Sequence, residues 1–292
     1  MSSVDVRPGK ASDMLNGDVL ADAGESGKSG TFSITHQVDS TETDMFSRLR
    51  LSAFFRLLQK VSVLHCEALG AGRKVTLDRG ILWVVTMQHG EFTRMPCYEE
   101  KVIIETWPGN TVYSLFPRYY RMLDTDGGEL ARVSSIWTHV DMNSREVIPP
   151  VKSGIKIDQV VTGNEISMPV VPRSIAPERN VNYRVPYSYI DLNHHMNNSC
   201  YFDIAENEFG PSREGRPVRE IDAQYSGELH LDDEIKLLTG HEGNRYFISG
   251  EKKKRMFAIS MVYGQKEGTL ILRGGVQASG RTVGCRHVRC II

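Results

Sequence analysis

Between Phe32 and Tyr263 the chain switches repeatedly between two hydrophobic periods, and the order of the switches predicts its architecture. Phe32 to Val38 alternates apolar and polar residues and predicts a strand with one buried face. Leu49 to Leu69 then predicts a long helix, stopped by Gly70, the residue that tolerates a left-handed backbone at a helix end. Its apolar positions (Leu51, Phe54, Phe55, Leu57, Leu58, Val61, Val63, Leu64) cover more than one stripe. A helix that is apolar most of the way round is buried. Strands are predicted over Ile81 to Met87, Lys101 to Trp107, Ser114 to Leu123 and Leu130 to Val140. The last two meet at Asp126-Gly127-Gly128, a strong hairpin signal.

Val147 to Asn180 holds five prolines and little periodicity, and reads as a connector. The pattern then restarts. Val181 to Val185 alternates, and Tyr201, Ile204, Ala205 and Phe209 share one helical face. Strands follow over Val218 to Tyr225, Glu234 to Thr239, Arg245 to Gly250 and Arg255 to Tyr263, with a turn at His241 to Asn244. One strand, one buried helix and a run of antiparallel strands thus occurs twice. A helix apolar nearly all round needs a sheet curved about it, which is the hot-dog arrangement. The expected class is α+β, a double hot-dog with each half an antiparallel sheet wrapped around a long central helix. The expected boundaries are a disordered leader over 1–30, a first hot-dog over 31–148, a linker over 149–180, a second hot-dog over 181–264 and a loosely ordered tail over 265–292.

A shift of 147 residues superposes the two halves: Val38 falls on Val185, Asp44 on Asp191, Leu49 on Met196, Ser52 on Ser199, Phe54 on Tyr201 and Phe55 on Phe202. The polar residues do not repeat, since Asn193 falls on Phe46 and His195 on Arg48. One site per chain is expected, in the second half, with the first half shaping a pocket and keeping only a degenerate copy.

Composition adds mostly exclusions. The 292 residues are 40% hydrophobic and 24% charged with a net charge of -1, so nothing draws the chain to nucleic acid or membrane by bulk charge. No apolar run approaches the ~20 residues of a membrane span. The five cysteines are scattered without metal spacing, which fits a reducing cytoplasm better than a disulfide framework. The first thirty residues lack the apolar centre of a signal peptide, and their acids (Asp5, Asp13, Asp18, Asp22, Glu25) argue against a transit peptide.

The chemistry concentrates in Asp191, Asn193, His194, His195, Asn197 and Asn198, at a strand-to-helix junction where Asn197 or Asn198 is the expected helix cap. Free N–H groups of a helix's first turn bind an oxyanion or polarise a carbonyl. A carboxylate, an amide and an imidazole beside such an end have the parts of a hydrolytic site, although the same residue types also serve as plain turn and cap residues. Calcium is set aside, because the sixth loop position is Met196 and the twelfth Phe202, where a calcium loop has Gly and Glu. Zinc at Asp191, His194 and His195 is disfavoured, because adjacent residues of an extended segment point to opposite faces. No metal and no cofactor are expected.

The run DLNHHMNN, followed by Tyr201, resembles the D-x-N-x-H-x-N-N signature of the acyl-acyl-carrier-protein (acyl-ACP) thioesterases. ILWVVTM, PCYEEKVIIETWP and RVSSIW resemble segments of that family's N-terminal hot-dog, and AQYSGELHLDDEI resembles its Y-x-x-E segment. The likeness covers about Phe32 to Tyr263 and points to a bacterial-type member. It implies an N-terminal acyl pocket, and Asp191, Asn193, His195 and Glu228 as the catalytic set. Many plant members carry Cys directly after the glutamate; this chain has Leu229, so no thiol can act there. Cys200 reads as a small buried residue.

The expected reaction is hydrolysis of acyl-ACP to free fatty acid and carrier protein. Glu228, partly buried just past a strand end, would activate the water. His195 would hold that water or donate to the thioester carbonyl, with Asp191 fixing its tautomer. Asn193 would offer an amide donor, and Asn197 and Asn198 would cap the helix and bind substrate at the oxyanion site. His194 is expected to face away. The partner is acyl carrier protein with its acyl-phosphopantetheine. Arg213, Arg216, Arg219 and Lys252 to Arg255 are candidate docking cations for that acidic protein. Two other readings stay open: a hot-dog thioesterase acting on coenzyme A esters, and a non-catalytic acyl-binding protein on the same fold. A cytoplasmic monomer or homodimer is expected.

Overall fold

Every strand that alternation predicts is present in the computed structural model, which is described here for residues 30–266. The strands are β1 (Phe32–Gln37), β2 (Ile81–Phe92), β3 (Lys101–Pro108), β4 (Phe116–Asp124), β5 (Glu129–Asp141), β6 (Arg179–Arg184), β7 (Val218–Tyr225), β8 (Glu234–Glu242), β9 (Arg245–Glu251) and β10 (Arg255–Tyr263). The β4–β5 hairpin closes where Asp124 accepts from the backbone N–H groups of Asp126 and Gly128, with Gly127 at φ 84°. The connector is less irregular than expected. It holds a short helix, α3 (Pro150–Ser153), and β6 begins one residue before its expected end. The expected leader and tail lie, apart from their innermost residues, outside the described residues.

The ten strands form one antiparallel sheet in the order β1-β3-β4-β5-β2-β7-β10-β9-β8-β6. Read inward from either end, the two halves have the same connectivity. They join through β2 and β7, paired from Met87↔Gln224 to Glu91↔Glu220. This seam uses the part of β2 beyond Met87, whose polar residues hide it from an alternation argument. Pairing on both edges, with β5 and with β7, keeps it extended.

The 147-residue shift is visible in the backbone. It carries β1 onto β6 and the 3-10 turn Ser40–Glu42 onto Tyr187–Tyr189. It carries the bridge Thr43↔Leu49 onto Ile190↔Met196, and Ser47 (φ 62°) onto His194 (φ 63°).

Helix α1 (Leu51–Ala68) fills the concave side of the sheet, burying Leu51, Phe54, Phe55, Leu57, Leu58 and Val61. Each such side chain contributes about 1.5–3 kcal/mol on leaving water. Its end is closed by bonds from Leu69, Gly70 and Ala71 N–H, with Gly70 at φ 69°. A short α2 (Arg73–Asp78) follows. The second helix departs from expectation. α4 (Cys200–Glu208) is only 9 residues long and is followed by α5 (Gly210–Arg213), because Pro211 has no N–H to continue the ladder. α1 packs on α4, and Phe55 stacks on Phe202 with centroids 4.0 Å apart and planes 7° off parallel. These are the two residues that the repeat equates, so a local two-fold passes between their rings. Cys66 and Cys200 carry free thiols.

Candidate active site

The loop between β6 and α4 is built by its own polar residues. Asp191 N–H donates to the His195 carbonyl at 3.0 Å and His194 N–H to the Asp191 carbonyl at 3.0 Å, with His194 left-handed at the tip. The Asp191 carboxylate accepts from Asn193 N–H at 2.7 Å and from the Asn197 amide at 3.2 Å. Asp44 holds the equivalent loop of the first half in the same way, accepting from Phe46 N–H at 2.8 Å. Its second oxygen pairs with Arg48, the residue standing where the second half has His195.

One backbone bond and one side-chain bond fasten this loop to the segment after β7. Met196 N–H donates to the Leu229 carbonyl at 2.7 Å, and the His230 ring bonds the His194 carbonyl at 3.1 Å. Glu228, next to the fully buried Leu229, is thereby held beside a loop more than thirty positions away in sequence.

Asp191, Asn193, His195, Asn198 and Glu228 all line one cavity of about 600 Å³. The remaining walls come mostly from the first half: Val63 on α1, Leu77 on α2, Trp83 and Val85 on β2, Phe116 on β4 and Trp137 on β5. Arg73 and Arg145, which the sequence did not single out, complete the polar wall with Tyr225 of the Y-x-x-E segment. Arg73, on α2, donates to Asn193 Oδ1 at 3.1 Å, which fixes that amide and leaves its NH2 free. Arg145, left-handed at φ 60° in the turn after β5, brings its guanidinium 3.5 Å from the Glu228 carboxylate, whose side chain is 28% exposed. The Tyr225 hydroxyl donates to Gln88 Oε1 at 2.9 Å and meets the Asn198 carbonyl at 3.4 Å. Arg73 and Arg145 lie 120 and 83 positions from their partners, so no local pattern marks them.

Three expectations need correction. Asp191 does not touch the His195 ring, because both its oxygens are used within the loop. His195 Nδ1 lies 3.4 Å from the Met196 carbonyl. Asn197 does not line the cavity. Its NH2 bonds Asp191 and Gln59, and its Oδ1 accepts from Ser199 N–H and hydroxyl. The helix cap position is Ser199, without a side-chain bond of its own, and Asn197 satisfies the chain just before α4. Cys200 Nα–H is likewise taken, by the Asn197 carbonyl, so the first turn offers fewer free donors than expected.

His194 is exposed and off the cavity, as expected. Cys200 is 2% exposed, and burial pushes its thiol up, away from reactivity. Of the candidate docking cations only Lys254 lines the cavity. Arg213 borders a separate hollow, Arg216 and Arg219 bond the Gly264 and Thr93 carbonyls, and Lys252 pairs with Asp233.

Residues 29–155 match the model of the acyl-ACP thioesterase N-terminal domain, and residues 173–270 match that of the acyl-ACP thioesterase C-terminal domain. The chain belongs to the acyl-ACP thioesterase family. This family member is 23% identical over 224 residues to a palmitoyl-acyl carrier protein thioesterase, chloroplastic, of Gossypium hirsutum, covering 71% of this chain and 54% of that protein. The chain thus spans about half the length of the relatives it matches. Among solved structures, an acyl-ACP thioesterase from Bacteroides thetaiotaomicron superposes with a TM-score of 0.67 at 18% identity, over 80% of this chain and 98% of that one. The 12:0-ACP thioesterase from Umbellularia californica gives 0.67 at 19% identity, over 81% and 98%. These likenesses establish the double hot-dog fold for this acyl-ACP thioesterase family member.

Proposed function

We propose that the chain hydrolyses the thioester of acyl-acyl carrier protein to free fatty acid and carrier protein. The observation that carries this reading is the single cavity onto which Asn193, His195 and Glu228 open together, with much of the remaining wall made by apolar side chains of the first half. The acyl chain lies among those apolar groups, as their lining suits. A thioester is already an activated acyl group, so the protein has to supply a placed water, a base and donors for the oxyanion.

Glu228 takes the proton from the water, with Arg145 holding its carboxylate in place. His195, which lines the same cavity, hydrogen-bonds that water and orients it. The Asn193 NH2, freed by Arg73, donates to the carbonyl oxygen as charge develops there. Asp191 and Asn197 are positioning residues that set the loop. Asn198 lines the substrate channel. Arg73, Arg145 and Lys254 at the cavity wall give a cationic border facing an acidic carrier protein.

In this reading the chain works in the cytoplasm. Among the described residues no helix is long and apolar enough to cross a membrane. The test is hydrolysis of matched acyl-carrier-protein and acyl-coenzyme A thioesters over a ladder of chain lengths, for wild type and Glu228→Gln. Preferential turnover of the carrier-protein ester, lost in the variant, is expected. Equal turnover of the coenzyme A ester would overturn the carrier-protein assignment, and no turnover of either would leave an acyl-binding protein.

A further inference from the structure

Arg118 lies on β4 facing α1, with 5% of its surface exposed, and lines the same cavity as Glu228. Its guanidinium donates to His65 Nδ1 at 3.0 Å, to Thr106 Oγ1 at 3.2 Å and to Cys66 Sγ at 3.4 Å. None of these partners carries negative charge. Burial, reinforced by the Arg118 charge, holds His65 down at about 4, so it is neutral near pH 7. Burial pushes the Cys66 thiol up, so it stays protonated. Among the described residues no carboxylate pairs with Arg118.

The carbonyl end of α1 compensates the charge only in part. The His65, Cys66 and Glu67 carbonyls already accept from Leu69, Ala71 and Gly70 N–H, leaving a diffuse helix dipole. A buried cation facing neutral groups is destabilising until something completes it. A plain alkyl chain filling this cavity would leave the guanidinium unmatched. An oxygen acceptor on the chain would match it with charge-assisted hydrogen bonds. Ser62 and Cys66, the neighbouring α1 residues on the cavity wall, extend the polar patch.

We propose that Arg118 selects acyl groups bearing an oxygen function away from the thioester, a carboxylate above all, over plain alkyl chains. This specificity rests on the thioesterase reading of the cavity. The substrate class is therefore an oxygenated acyl thioester, with Glu228 and Arg118 addressing different parts of one molecule.

The experiment compares ω-carboxyacyl and alkanoyl carrier-protein thioesters across a ladder of lengths, in wild type, Arg118→Met and Arg118→Lys. The expected kcat/KM ratio favours the ω-carboxyacyl ester by about tenfold to a hundredfold, the range for hydrogen bonds to a charged group. In Arg118→Met the ratio falls to one or below, and in Arg118→Lys part of it survives. Equal or better turnover of alkanoyl esters by wild type would overturn the proposal, as would an unchanged ratio in Arg118→Met. Loss of cooperative folding in Arg118→Met would also overturn it, since the charge would then be structural. A parallel thermal-shift measurement uses an alkyl carboxylate and its neutral amide as probes. It decides the matter if no ester is turned over, which by itself would sink only the thioesterase reading. A carboxylate-specific shift in wild type, absent from Arg118→Met, is expected, and no such shift in wild type would overturn the proposal.

Discussion

Replacing Asp191 by Asn separates two roles for a carboxylate beside a histidine. In the structure that carboxylate bonds Asn193 N–H and the Asn197 amide and leaves the His195 ring alone. An Asn at 191 presents one oxygen and one NH2 to two donors. Whichever way it turns, one donor faces another. Asn197 cannot turn its own amide over, because its oxygen already serves Ser199. The surviving bond weakens from a charged to a neutral acceptor, about 1 kcal/mol, and the lost bond costs about 1 kcal/mol more. The total is about 2 kcal/mol. If all of it appeared in the rate, kcat/KM would fall about thirtyfold, and the melting temperature should drop by a few degrees. A carboxylate that fixes a catalytic imidazole behaves differently: the Asp→Asn change in a serine-protease triad costs about 10⁴ in kcat. Steady-state hydrolysis with a thiol-detecting readout, alongside a thermal melt, distinguishes the two. Asp44→Asn supplies the control, since Asp44 holds the twin loop and pairs with Arg48 at 2.8 Å. It should lower the melting temperature without touching kcat/KM. A loss near 10⁴ for Asp191→Asn with an unchanged melt would refute the loop-ordering account.

Glu228→Gln and His195→Ala should each cost about 10²–10⁴ in kcat while the protein stays folded by circular dichroism; near-full activity in either variant removes its assigned role. Arg73→Ala frees the Asn193 amide to rotate, and kcat should fall about tenfold; an effect on KM alone would place Arg73 in docking instead. Stability should depend on acid in a defined window. Burial holds His65 and His139 at about 4, below the ordinary 6.5, so the folded protein binds fewer protons than the unfolded chain. Their contribution is complete above about pH 6.5 and is lost as pH falls through about 4, amounting to about 3 kcal/mol each at the acid extreme. His139 is fully buried between Trp83 and Phe116, and neither ring nitrogen has a partner. His139→Leu should therefore flatten the acid limb of a melting-temperature profile between pH 7 and pH 4, and an unchanged limb would show that His139 titrates normally.

The fold was legible wherever period and punctuation agree. Alternation at Phe32, Ile34 and Val38, the apolar run of α1 and the Asp-Gly-Gly turn are local signals, and each element formed where they stand, although α1 is not buried all round and leaves Arg56, Lys60 and Val63 exposed. The repeat was legible because the two-fold forces equivalent residues into equivalent places, down to Phe55 on Phe202. Two things were obscured. The length of α4 was overestimated because helical periodicity at Phe209 outlasted the backbone's ability to continue past Gly210-Pro211. The seam in β2 was missed because its residues Gln88, His89 and Glu91 are polar on both faces. In the site, residue types in Asp191 to Asn198 announced a polar loop, but not which oxygen meets which donor. That depends on His194 taking a left-handed conformation, which coils the loop back so that Asp191 faces the Asn residues rather than the imidazole. Arg73, Arg118 and Arg145 carry no signal, since an arginine acquires meaning only from what the fold sets beside it.

The β2–β7 seam has a kinetic and concentration consequence. The cavity wall is shared between the halves, so a two-chain version would lose its site whenever the chains parted. Here the connector keeps the second half within reach of the first, at an effective concentration on the order of millimolar. Reassociation is then a first-order event that dilution cannot slow. Specific activity should be the same at the lowest enzyme concentration an assay can detect as at the highest, and the two sides of the site can drift apart in sequence without ever having to find each other again.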